Sequence, residues 1–303
     1  MRLLAALLLL ALSGGMARAE TWAASYPEGP LWQGGALYWA EMTAHRIMRW
    51  QGRGKPVPFV EREGCGPTAI APYRGGFIVL CHLEGALAQV DRTGRVLRMI
   101  RQDKDGNRLR NPNDASTDAR GGVWFTDPGR FSARAPAEGA LYYFSSDGTL
   151  TRHITGLHYG NGVHVDRAGG RLLLSEHLAR RVLSYPITDE GLGAPEVLID
   201  DATLQLDRTG YAEAGPDGLE IGPDGCLWVA MYGAGYVLSF GGDRIEGHGT
   251  PTTLRFITNV AFGRAVGGGY RLALTGATSN TVPPFPGKVV VLSIEPGDLE
   301  PCS

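Results

Sequence analysis

Asp217-Gly-Leu-Glu-Ile-Gly-Pro-Asp-Gly-Cys-Leu-Trp-Val-Ala230 holds two short apolar β-type runs parted by an Asp-Gly turn. Asp-Gly between such runs is a strong hairpin signal. The same layout returns at Asn113-Asp-Ala-Ser-Thr-Asp-Ala-Arg-Gly-Gly-Val-Trp-Phe-Thr126, and again at Asn161-Gly-Val-His-Val-Asp-Arg-Ala-Gly-Gly-Arg-Leu-Leu-Leu174. Further copies start at Glu28, Pro67 and Asn259, so the six anchors are separated by 39, 46, 48, 56 and 42 residues. A third β run follows several pairs, as in Arg181–Tyr185 and Tyr236–Phe240. Periods of roughly 40–50 residues with three or four strands each are the mark of a β-propeller. The expectation is an all-β, six-bladed propeller of four-stranded antiparallel blades around a central channel, one domain over residues 20–303. Thr21–Ser25 are expected to add an outer strand that closes the ring on the last blade.

Composition agrees with that architecture and excludes others. The chain has 303 residues with 44 Gly and 19 Pro, a formal charge of −2 and 43% hydrophobic residues. Glycine is about twice its ordinary ~7% share, as many tight turns require, and no Gly-X-Y period signals collagen. The apolar content excludes disorder, and the near-neutral charge offers no footprint for nucleic acid. Met1-Arg2, the apolar run Leu3–Leu12 and Ala17-Arg18-Ala19 have the layout of a secretory signal peptide over residues 1–19. The run is shorter than the ~20 residues a membrane span needs. The mature chain is therefore expected to be exported to a periplasmic or extracellular compartment, with no membrane association after cleavage, as a monomer or homodimer. Cys65 and Cys81 flank an expected hairpin; they either form a disulfide or are two small buried hydrophobes. Cys226 is read as a core thiol. Asp103-Lys-Asp-Gly-Asn107 lacks the glycine spacing of a calcium loop and is read as a charged turn.

In a propeller the first strand of each blade faces the axis, so residues heading those strands converge. The heads are Glu28, Asn113, Asn161, Asp217 and Asn259. Buried carboxylates need a partner, and all-oxygen ligands suit a hard cation, Ca²⁺ first. Loops after each second strand open on the same face; they carry Glu41, His82, Asp127, Glu176, His177, Tyr232 and Thr275–Thr278. His82, His177 and Tyr232 are candidate substrate contacts at this rim. No G-x-S-x-G elbow, H-E-x-x-H helix or Walker loop is present.

Glu28-Gly-Pro-Leu-Trp32, Pro112-Asn-Asp114, Gly122-Val-Trp-Phe-Thr-Asp-Pro128, Gly160-Asn-Gly162, Gly215-Pro-Asp-Gly-Leu219 and Thr258-Asn-Val-Ala-Phe-Gly263 together resemble the senescence marker protein, gluconolactonase and luciferin-regenerating enzyme family. The resemblance spans about residues 26 to 294 and implies a six-bladed propeller with one divalent cation, most often Ca²⁺, with Zn²⁺ or Mn²⁺ as other occupants. It places metal ligands at Glu28, Asn161 and Asp217, a substrate-holding amide at Asn113 and the general base at Asp217. Some family members carry an arginine two residues before the Asn-Asp asparagine, where this chain has Asn111. The implied activity is hydrolysis of a sugar lactone or related small ester. Two alternatives stand beside it: the same metal site acting on aryl esters or organophosphates, and a non-catalytic propeller that binds a ligand or protein around structural calcium.

Overall fold

The computed structural model describes residues 19–303 apart from positions 205, 243, 251–253, 282, 296 and 303. The expected leader thus lies outside the described residues, except for Ala19. Among the described residues no helix is long and apolar enough to cross a membrane. The secondary structure is antiparallel strand apart from three short helical turns.

Five hydrogen-bonded sheets follow one another along the chain. The first is Pro27–Gln33, Ala36–Glu41, Arg46–Trp50 and Val57–Glu61, and the second is Pro67–Tyr73, Gly76–Cys81, Ala86–Val90 and Val96–Ile100. The third is Ala115–Thr117, Val123–Asp127, Gly139–Phe144 and Leu150–Leu157. A fourth, five-stranded sheet starts with Gly160–Asp166 and Arg171–Glu176. The last sheet has eight strands, running from Gly215–Ile221 to the N-terminal strand Ala19–Ser25. The separate sheets therefore number five, not the expected six. One pair, Tyr232 with Phe256, fuses what would otherwise be two four-stranded units.

The innermost strands pack on one another in a closed ring, the first against the second and so on until Phe256–Arg264 meets Pro27–Gln33. That is a β-propeller. Closure is made as expected by the N-terminal strand, which pairs antiparallel with Pro286–Ile294 from Ala19↔Leu292 to Ser25↔Pro286.

The core lies between neighbouring sheets, because successive residues of a strand point to opposite faces. In Ala36–Glu41 the side chains of Tyr38 and Ala40 pack toward the second sheet, against Ile70 and Val79. Leu37 and Trp39 pack the other way, against Ala261, Ala273 and Val289. Both faces being covered explains why the second strands read as unbroken apolar runs.

All four cysteines are paired. Cys65–Cys81 is the first of the two alternatives offered by the hairpin. Cys226 is not a core thiol: it bonds Cys302, which fixes the C-terminal tail against the Asp224–Cys226 turn. No sequence spacing pointed to this, since the partners are 76 residues apart. The Asp103 carboxylate accepts N–H groups of Asp105 and Asn107 and the Asn107 side chain, as the turn reading expects.

Candidate active site

Five head residues are buried together: Glu28 at 6% exposure, Asn113 at 6%, Asn161 at 4%, Asp217 at 4% and Asn259 at 6%. A local feature of the innermost strands turns Glu28, Asn161, Asp217 and Asn259 inward. Ladder register slips between Glu28 and Leu31, Pro67 and Ala69, Gly160 and Val163, Pro216 and Leu219, and Ile257 and Asn259. Such bulges bend a strand and re-aim its side chains, and they gather at functional sites. The glycine after a head allows the next strand to come close. A Cβ on Gly162 would lie 2.2 Å from the Asp217 carbonyl, and one on Gly218 would lie 1.9 Å from the Asn259 side chain.

Buried hydroxyls stitch four of the neighbouring units together beside the heads. Thr68 donates to the Pro112 carbonyl at 3.1 Å, Thr126 to Asn161 at 2.6 Å, Ser175 to Asp217 at 2.7 Å and Thr258 to Pro27 at 2.7 Å. Every acceptor lies in the neighbouring unit and lies at or beside a head. A hydrogen bond that satisfies a buried carbonyl is costly to lose, so these four bonds set the segments they join with little slack.

The electrostatics are those of an unneutralised acidic centre. Burial, then the charge of Asp114, holds the Glu28 carboxyl well above the usual carboxylate range. Burial, then Glu28 and Asp114, does the same to Asp217. Asp114 itself is pushed up to about 6 by burial, although it accepts the N–H groups of Ala115 and Val163. Among the described residues no lysine or arginine pairs with any of the three. A centre of carboxylates and amide oxygens lacking a basic partner fits a hard divalent cation. It does not form a cluster of three or more His, Cys, Asp or Glu side chains poised for metal among the described residues. The physical reason is visible in Asp114, whose oxygens face backbone N–H groups. That leaves Glu28 and Asp217 as the carboxylates, with the remaining oxygens supplied by amides.

The rim differs from the sequence expectation. Glu41 and Glu176 are paired with Arg46 at 2.7 Å and Arg181 at 2.6 Å, and Asp127 accepts the backbone N–H groups of Arg110 and Asn111. His177 is fully buried rather than at the rim; its Nε2 lies 2.9 Å from the Glu213 carbonyl, and burial pushes its pKa down to about 4. His82 is likewise pushed down to about 4 by burial. Both are neutral imidazoles at neutral pH. Tyr232 is buried beside His177, with ring centroids 5.7 Å apart, and its hydroxyl meets that of Tyr26 at 3.1 Å. Sequence reasoning missed Tyr26 and Tyr159, whose phenols are pushed up by burial and by the charges of Glu28 and Asp217. Only their positions, one residue before the strands that carry Glu28 and Asn161, could have signalled this. On the far side of the heads the axis opens into a cavity of about 450 Å³, lined by Trp32, Ser116, His164, Glu220 and Phe262 among others.

Residues 26–269 match the SMP-30/Gluconolactonase/LRE-like region. The chain belongs to that family. Among curated relatives, the pentonolactonase XacC of Haloferax volcanii is 28% identical over 243 residues, covering 78% of this chain and 77% of that one. Among solved structures, the gluconolactonase XC5397 of Xanthomonas campestris superposes with a TM-score of 0.73 at 23% identity, over 92% of this chain and 90% of that one. The calcium-binding regucalcin of Agrobacterium tumefaciens superposes with a TM-score of 0.71 at 19% identity, over 92% and 94%. At these identities the two structures establish the propeller fold.

Proposed function

We propose that this family member is a metal-dependent lactonase whose reaction centre is the buried Glu28–Asp217 pair. The observation that carries the reading is the pair's lack of any basic partner, beside two amides, in a chain of a family that includes lactonases. The reading divides the eight-stranded sheet at the Tyr232–Phe256 pair, which makes six blades in one domain over residues 20–303. Glu28, Asn161 and Asp217 would hold the cation, Ca²⁺ foremost and Zn²⁺ or Mn²⁺ otherwise. When bound, it supplies the positive charge that neutralises these carboxylates and polarises a lactone carbonyl. Asp217 accepts a proton from the attacking water as the hydroxyl adds to the carbonyl carbon. The Asn113 amide orients the carbonyl oxygen. The ring C–O bond then breaks, Asp217 returns the proton to the departing alkoxide, and a hydroxy acid is released. His177 and His82, held neutral by burial, shape the site without moving protons. The two disulfides suit an oxidising compartment and support the export reading, periplasmic or extracellular.

A panel of lactones, aryl esters and phosphotriesters, assayed with calcium and with chelator, tests the proposal. Chelation is expected to abolish lactone turnover, and Asp217→Asn to lower kcat at least ~100-fold while the fold persists. Wild-type turnover in that variant removes Asp217 from the mechanism. Chelation that lowers the melting temperature while turnover continues makes the cation purely structural.

A further inference from the structure

Residues 128–138 leave the third sheet after Val123–Asp127 and lay Phe131 over the acidic centre. Its ring centroid lies 4.9 Å from Tyr159, 5.3 Å from His177 and 5.9 Å from Tyr232, so one phenylalanine touches rings of two neighbouring units. Phe131 is still 40% exposed, which leaves part of an apolar ring open at the mouth. The base of this strap is clamped. Asn111 Nδ2 donates to the Gly129 carbonyl, Gly129 N–H donates to Asn111 Oδ1 at 3.0 Å, and Asn111 N–H donates to Asp127 at 2.8 Å. Two guanidinium groups at its base are engaged by one carboxylate: Arg110 lies 2.8 Å and Arg130 3.1 Å from Glu138, while Arg134 further along the strap is exposed. The phenol groups behind the ring face one another rather than the opening. Tyr26 and Tyr232 meet at 3.1 Å, and Asn280 donates to Tyr211 at 2.8 Å and to Tyr232 at 3.2 Å.

We propose that Phe131 is a specificity-determining residue, and that its strap commits the site to lactones bearing a flat apolar or aromatic group rather than polyhydroxylated sugar lactones. The inference rests on the lactonase reading above. The Asn111 side chain, which is uncharged, is spent on holding the strap. A flat substituent would slide along Phe131 and complete the cluster made by Tyr159, His177 and Tyr232. Aromatic pairs of this kind contribute ~0.5–1.5 kcal/mol beyond area burial.

The test compares 3,4-dihydrocoumarin, a δ-lactone fused to a benzene ring, with δ-gluconolactone on the calcium-loaded full chain. Wild-type kcat/KM is expected to favour dihydrocoumarin by at least about tenfold, within the range apolar pockets discriminate. Phe131→Ala should raise KM for dihydrocoumarin about 3- to 10-fold with kcat little changed. KM for gluconolactone should stay as it was, and Phe131→Tyr should restore the dihydrocoumarin value. A wild-type preference for gluconolactone, or equal KM changes for both lactones in Phe131→Ala, overturns the inference while leaving the lactonase reading intact. No turnover of either lactone with calcium present sinks both together.

Discussion

Replacing Glu220 with glutamine removes a carboxyl that the fold keeps protonated far above its ordinary range. Glu220 lies on the strand Gly215–Ile221, accepts the Phe262 N–H at 2.7 Å and faces the axial cavity. Burial, with the nearby Asp114 charge as a smaller cause, pushes its pKa from 4.5 to about 8. The folded protein therefore holds a proton that the unfolded chain releases, and its stability must fall as pH rises through that window. At ~1.4 kcal/mol per pH unit, the loss between pH 5 and pH 8 comes to about 2–4 kcal/mol. For a chain of this size that is roughly 5–15 °C in Tm. The amide of Glu220→Gln can still accept the Phe262 N–H but cannot ionise. Thermal unfolding of both proteins, with chelator so that Glu28 and Asp217 are in the same state in each, should show curves that nearly coincide at pH 5. They should diverge steadily toward pH 8, with the variant the more stable. A difference that is the same at pH 5 and pH 8, or a variant less stable at pH 8, refutes the assignment of this buried carboxyl as protonated.

Two further perturbations probe what holds the ring. The Cys226–Cys302 bond closes a separation of 76 residues and Cys65–Cys81 one of 16, so chain entropy assigns them ~4.5 and ~3 kcal/mol. Denaturant titration of the paired Cys→Ala variants should place the longer loop's loss above the shorter one's; the reverse order contradicts the entropic account. Thr258→Val leaves the buried Pro27 carbonyl without its donor at 2.7 Å and should cost about 1–3 kcal/mol. Thr43→Val, which removes an exposed bond to Pro284, should change stability by less than about 0.5 kcal/mol.

The propeller and its acidic heads were legible because each depends on local chemistry repeated along the chain. Asp-Gly and Gly-Gly turns mark hairpins wherever they stand between apolar runs, and Glu28, Asn161 and Asp217 are each followed by a glycine that a neighbouring strand crowds. The rest depends on pairings between distant segments. Tyr232 and Phe256 belong to different repeats, and their one ladder pair changes the number of sheets without any sign in the repeat itself. His177 follows a second strand just as a rim residue would, yet Phe131, 46 residues earlier by number, lies over it. Cys302 stands in a tail with no periodicity, so nothing local tied it to Cys226. Bulges at the strand heads were invisible for a related reason: a register slip is a property of two strands, and one strand's residues do not encode it alone.

The closing strand has a consequence for how the molecule comes into being. Ala19–Ser25 is made more than 250 residues before its partner Pro286–Ile294, so the two strands must find one another across the whole propeller. Until then Trp22, which stacks on Trp39 at a 5.7 Å centroid distance in the finished ring, has no sheet to lie in. Loop closure over such a distance is slow, and an open ring offers bare strand edges to other chains. Before that pairing the chain is a half-made cylinder whose last stave is already in hand but cannot be fitted. The vulnerable interval in this protein's life ends only when residue 294 has emerged.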